Sequence, residues 1–148
     1  MNQFNLLNGK GIGVTELINI GEDLRTQWEI TFTKSLTKAI KNKIHFKQHF
    51  WHVFSYEELE CLEKQKAIIA FNNQKKNECY IFYQTEKNAL MVENAKDISS
   101  EDVMNIRSGY VDVYLVDKGF TWTYIVTHEE SCGPYFYKLN GKYSSLVS

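Results

Sequence analysis

One proline, three cysteines, a net charge of −1 and no long apolar run mark what this 148-residue sequence has little of. Each scarcity removes a class of protein. Cys61, Cys79 and Cys132 are odd in number and widely spaced, with no C-x-x-C pair. That pattern argues against a disulfide framework and a cysteine-rich zinc site, and it fits free thiols in a reducing cytosol. No stretch approaches the ~18 apolar residues of a membrane span, and Met1 to Lys10 lacks the basic start and apolar run of a signal peptide. The expected location is cytoplasmic, with no membrane partner. A net charge of −1 supplies no positive field to draw phosphate backbones, so nucleic acid is not an expected partner. The run Gly9-Lys10-Gly11-Ile12-Gly13 lacks the spacing of a Walker loop or a dinucleotide fingerprint. No internal repeat or low-complexity block interrupts the chain.

What is there begins with a hairpin. From Tyr110 to His128, aromatic and β-branched residues alternate around Asp117-Lys118-Gly119, the period-two signature of two antiparallel strands. Phe120, Trp122, Tyr124, Val126 and His128 are expected on an apolar face. Thr121, Thr123, Ile125, Thr127 and Glu129 are expected on a wet one. Gly119 is the natural position for a positive φ in the turn.

Elsewhere Ile12 to Ile18 reads as a first strand. Leu24, Trp28, Phe32, Leu36 and Ile40 recur every fourth residue behind Glu22 and Asp23, as in a long amphipathic helix. Ser35 or Thr37 caps a second, shorter helix if that long one breaks near 36. Phe50 to Tyr56 reads as an aromatic strand, and Glu63 to Asn72 as a helix burying Ala67, Ile68 and Phe71. Cys79 to Tyr83 is apolar on both faces, which suits a central strand, and Ala89 to Val92 returns beside it. Ser99 and Asp102 have capping spacing for a short helix through Arg107, with Gly109 as its stop. Pro134 marks a turn before a last strand at Tyr135 to Tyr137.

This order predicts one α+β domain, a mostly antiparallel sheet with helices packed on one face. A chain this long buries roughly 68–70% of its unfolded surface, enough for a core without staples. The domain is expected over 11–138, between a flexible lead at 1–10 and a loose tail at 139–148.

Several blocks together resemble a known family. They are Lys10 to Leu17, Asp23 to Glu29, Trp51 to Glu57, Glu78 to Gln84, Asp112 to Asp117 with Phe120 to Tyr124, and Thr127 to Glu129 followed by Gly133 to Phe136. The chain is similar, over about Gly11 to Phe136, to a family of short proteins from bacilli and related low-GC bacteria catalogued as a domain of unknown function. That resemblance implies no chemistry, and no catalytic residue is carried over from it.

The candidate residues each have a plain structural reading. His45, His49 and His52 stand at i, i+4 and i+7, the spacing of three imidazoles on one helical face, as in a three-histidine zinc site. The strand reading from Phe50 breaks that face, and no carboxylate completes a zincin pattern. Lys34, Lys38, Lys41, Lys43 and Lys47 read as a solvated stripe. Cys79 reads as inert packing, and Cys132 as the most exposed thiol. Three Trp and nine Tyr exceed what one core takes up with every polar atom paired. Some are therefore expected at the surface, where exposed aromatics serve binding.

Two functions follow. The preferred one is a non-enzymatic cytosolic protein-interaction module, a self-associating or partner-neutralising protein of the immunity or antitoxin kind. The alternative is a small enzyme or ligand-binding domain with His52, His128 and Glu129 beside a pocket of Trp51, Trp122 and Tyr124. The candidate binding residues are Trp51, His52, Trp122, Tyr124, His128, Glu129 and Tyr135. No catalytic residue, metal ligand or cofactor is assigned.

Overall fold

A computed structural model of the chain describes residues 7–106 and 111–139. In chain order the elements are β1 (Val14–Leu17), α1 (Gly21–Phe32), α2 (Lys38–Lys43), α3 (His52–Ser55), β2 (Leu62–Glu63), α4 (Lys64–Asn73), β3 (Cys79–Tyr83) and β4 (Ala89–Val92). A 3-10 turn at Ala95–Asp97, α5 (Ser100–Ile106), β5 (Val113–Asp117), β6 (Trp122–Val126) and β7 (Tyr135–Lys138) complete them. The strands form one 7-stranded sheet in the order β1-β4-β3-β5-β6-β7-β2, and every pairing is antiparallel. The α+β class is therefore observed.

The helices lie on both faces of this sheet, not on one. Cys79, Ile81, Val113, Leu115, Trp122, Tyr124 and Phe136 pack under Ala67, Ala70 and Phe71 of α4 and Val103 of α5. Phe82, Tyr114, Val116, Ile125 and Tyr135 pack under Leu24, Trp28 and Phe32 of α1 and under Ile44 to Phe54. The central strands are apolar at both parities, so each face needs a cover. β6 shows why the wet-face expectation fails, since all five of its residues are buried. Thr123 is accommodated because its Oγ1 accepts from Trp28 Nε1 at 3.0 Å and donates to the Leu115 carbonyl at 2.8 Å, so its buried hydroxyl and the Trp28 indole N–H are both paired.

Other local expectations shift for identifiable reasons. The long helix ends at Phe32, and Thr37 caps α2 by accepting from Ile40 N at 3.2 Å. Phe50 to Tyr56 is not a strand. Phe50, Trp51, Val53 and Phe54 are all buried, a spacing of one, three and four residues that a helical turn places on one side. The positive φ of the β5–β6 turn belongs to Phe120, at 56°, and not to Gly119. Asp117 holds that turn by accepting from Thr121 N at 2.6 Å and Trp122 N at 3.1 Å.

At the start of the described residues Leu7 is buried in the core, Asn8 to Lys10 are exposed, and Lys10 pairs with Asp102. Ser99 and Asp102 form the reciprocal capping pair that their spacing predicts, with bonds of 2.9 and 3.3 Å. Leu139 N donates to the Thr121 carbonyl. The expected helix end at Arg107 and Gly109, the hairpin start at Tyr110 and the tail from 140 onward lie outside the described residues. Among the described residues no helix is long and apolar enough to cross a membrane.

Candidate functional site

The open end of the β5–β6 hairpin carries a cluster of polar side chains gathered on Asp112. Val113 pairs with Val126 in the ladder, so the chain enters β5 through Asp112 and leaves β6 through Thr127 and His128. A third segment covers this end. His45, at φ 57°, follows α2 and turns the chain. Phe46 and Phe50 then stack on Trp28 at 6.3 and 5.6 Å. Those two anchors carry His49 and Trp51 across the hairpin end.

Asp112 is the centre. Its side chain is 2% exposed, where an unpaired carboxylate is costly, and both of its oxygens are occupied. Oδ1 accepts from the backbone N of His128 at 2.7 Å and faces His128 Nδ1 at 2.7 Å. Oδ2 accepts from Trp51 Nε1 at 2.9 Å and faces His49 Nδ1 at 3.2 Å. With Nδ1–H donating, both imidazoles are held in one tautomer, and each keeps its Nε2 lone pair. The two rings lie 5.2 Å apart and are partly open to solvent, 32% for His49 and 19% for His128. On the outer side His128 Nε2 stands 3.6 Å from Glu129 Oε1, and Cys132 Sγ donates to Glu129 Oε2 at 3.5 Å.

The candidates from the sequence separate into three places. His128 belongs to the centre, with Glu129 at its rim and Trp51 as its buried donor. His52 lies next to His49, rings 5.1 Å apart, but its Nδ1 bonds the Ile44 carbonyl at 2.5 Å. Burial pulls its pKa down, against the opposing pull of that carbonyl. The ring adjacent to His128 is that of His49, so the expected His52/His128 pairing is replaced by His49/Asp112/His128. Trp122 and Tyr124 lie on the other face of the sheet. Tyr124 stacks on Phe71 at 4.1 Å with its hydroxyl bonded to Ser100 Oγ at 2.6 Å, and Trp122 packs on Phe71 and Phe136. They line no common pocket with Trp51, because the sheet stands between them. Tyr135 stacks on Trp51 in the core, where burial pushes its phenol pKa up.

Trp51, Trp122, Tyr124 and Tyr135, the aromatics expected to contribute to a binding surface, are all buried, whereas Tyr56 is 49% exposed. Sequence reasoning missed Asp112 and undervalued His49. Within the lysine stripe, Lys41 and Lys47 both pair with Glu29, at 3.0 and 2.8 Å.

Among the described residues one group has the composition and closeness to hold a metal ion. It is His49, Asp112 and His128, whose ligand atoms all lie within 4.8 Å of one another. His45 of the three-histidine pattern is exposed and takes no part in it. The family described as "Domain of unknown function (DUF4275)" matches residues 1–136. The chain belongs to that family. Neither a curated protein nor a solved structure matches it. The DUF4275 match takes in all three members of the central group, together with Trp51 and Glu129.

Proposed function

We propose that this DUF4275 chain is a metal-dependent protein in which His49, Asp112 and His128 bind one first-row divalent cation. The observation that carries the reading is the convergence of two imidazole nitrogens on a buried carboxylate, all within 4.8 Å. Two histidines and one carboxylate suit zinc or ferrous iron, and three protein ligands leave positions free for water or substrate. Bonds of about 2.1 Å place neighbouring ligand atoms roughly 3.0–3.4 Å apart. The Nδ1 to Oδ separations of 2.7 and 3.2 Å bracket the lower part of that range, and the ion takes the place of the two Nδ1 protons that donate to Asp112 in its absence. Trp51 Nε1 and His128 N already bond the carboxylate from behind, the outer support that orients a ligating group. An ion held there acts as a Lewis acid toward a bound oxygen or lowers the pKa of a bound water.

The test is calorimetric titration of metal-stripped protein with Zn²⁺, paralleled by visible absorption with Co²⁺. One ion per chain is expected. His49→Ala and His128→Ala each weaken it at least tenfold with an unchanged far-UV spectrum, while His45→Ala leaves it unaltered. Absence of binding at micromolar metal, or equal binding by all three variants, overturns the reading.

A second reading has its own observation. His128 Nδ1 rests on Asp112 while its Nε2 faces Glu129 at 3.6 Å, the arrangement in which an oriented imidazole transfers protons without a metal. It predicts a function that survives chelation and is lost in Asp112→Asn.

A further inference from the structure

His128 stands between two carboxylates. Asp112 Oδ1 faces its Nδ1 at 2.7 Å on the buried side, and Glu129 Oε1 faces its Nε2 at 3.6 Å on the outer side. A neutral imidazole carries a single ring proton, so only one of these nitrogens can donate. The buried Asp112 carboxylate offers only acceptors and holds that proton on Nδ1. Nε2 and Glu129 Oε1 are then two acceptors face to face, and their separation lies beyond hydrogen-bond range.

Glu129 is nevertheless held in that position. Thr127 Oγ1 accepts from its backbone N at 3.2 Å, and its carbonyl accepts from Cys132 N at 3.0 Å. Cys132 Sγ donates to Oε2 at 3.5 Å, which leaves Oε1 as the oxygen turned toward His128. A divalent ion on Nδ1 inverts the proton arrangement. The Nδ1 proton leaves to water and Nε2 takes one from water, so the ring stays neutral and its proton count is unchanged. The new Nε2–H points at Glu129 Oε1. The Glu129 side chain is 52% exposed and has room to close the gap to the roughly 2.9 Å of an N–H···O bond.

We propose that Glu129 is a positioning residue of the metal site, accepting the Nε2–H of His128 and so fixing that ring as an Nδ1 ligand. This rests on the metal reading. The hydrogen bond made by one ring nitrogen decides which nitrogen is metallated. His49 has no second carboxylate within ion-pair distance among the described residues, so one of the two histidines receives this support. Glu130 is the control, since it is adjacent in sequence, exposed and equally charged, and makes no ion pair with His128 among the described residues.

The test combines Zn²⁺ calorimetry with ¹⁵N NMR of the histidine rings in the full chain. In wild type the His128 proton is expected on Nδ1 without metal and on Nε2 with Zn²⁺ bound. Glu129→Ala should lose about 10–100-fold in Zn²⁺ affinity, the usual effect of removing an outer partner, and its Nε2–H should exchange faster with water. Glu129→Gln keeps an oxygen acceptor without the charge and should fall between, while Glu130→Ala stays within twofold of wild type. A Zn²⁺-loaded His128 protonated on Nδ1, a Glu129→Ala affinity within twofold of wild type, or an equal loss in Glu130→Ala overturns the role of Glu129 and leaves the metal site standing. Failure of the wild type to take up Zn²⁺ overturns both.

Discussion

The indole N–H of Trp51 donates to Oδ2 of Asp112 at 2.9 Å, across 61 residues of sequence. Both side chains are buried, so neither has water as a substitute partner. Trp51→Phe keeps the aromatic packing against Tyr135 and deletes that donor. A hydrogen bond to a buried charge is worth about 1.5–3 kcal/mol, and the variant is expected to lose that much stability in urea denaturation. Removing such outer support costs about 10–100-fold in metal affinity, so the Zn²⁺ titration should weaken in the same variant. Unchanged stability and affinity would show that the indole contact is incidental.

The path from sequence to this site was only partly visible, and the division follows the range of the interactions. Strands β3 to β6 and the Ser99/Asp102 cap were legible because alternation and capping act between near neighbours. Phe50 to Tyr56 was misread because aromatic and β-branched residues favour strands in isolation, while here Val53 and Phe54 are pulled into helix by burial in the cluster that holds Trp28 and Tyr135. Asp112 was invisible because its parity with Tyr114 and Val116 implies burial only once both faces of the sheet are covered. Its partner His49 is 63 residues away. The sequence does carry one overlooked sign, a charged residue set between Val111 and Val113 in a run that is otherwise buried.

The thiols are expected to differ sharply in reactivity. Burial, aided by nearby carboxylates, pushes Cys61 up to about 12, and burial followed by the Asp117 charge does the same for Cys79. At pH 8 their thiolate fractions are negligible, and the thiolate is the reactive form. Cys132 is partly exposed. Iodoacetamide labelling of native protein followed by peptide mass spectrometry should therefore modify Cys132 first, with Cys79 reacting only after denaturation. Equal labelling of Cys79 in the native state would contradict its burial.

Acid is expected to loosen the contact between the first described residues and α5. Burial of Asp102 raises its pKa, but hydrogen bonds from Lys10 and Ser99 outweigh that and hold the carboxyl below its ordinary value. A depressed carboxylate pKa stabilises the fold above the unfolded value, about 3.9, and that contribution disappears as pH falls through the folded value. Urea midpoints measured from pH 6 to pH 2 should fall along this limb. Asp102→Asn should lie below wild type at pH 6 and converge with it in acid. Parallel curves would remove Asp102 from the linkage.

Among the described glycines, Gly21 leaves the least room for a side chain. It begins α1, and its N–H donates to the Lys87 carbonyl at 2.9 Å. A Cβ there would sit 2.3 Å from the Glu86 carbonyl oxygen and 3.0 Å from that of Lys87. Both are main-chain atoms, so the turn itself must shift. Arg25 straps the same turn by donating to the carbonyls of Tyr83 at 3.0 Å and Glu86 at 2.6 Å. Alanine gains up to about 1 kcal/mol of helix propensity over glycine, whereas forcing extra atoms into packed structure costs about 1–3 kcal/mol. The contact distance is short enough that the second effect prevails, and Gly21→Ala should melt several degrees below wild type. Gly119→Ala is the control, because its Cβ would meet nothing closer than 3.7 Å and its melting point should hold.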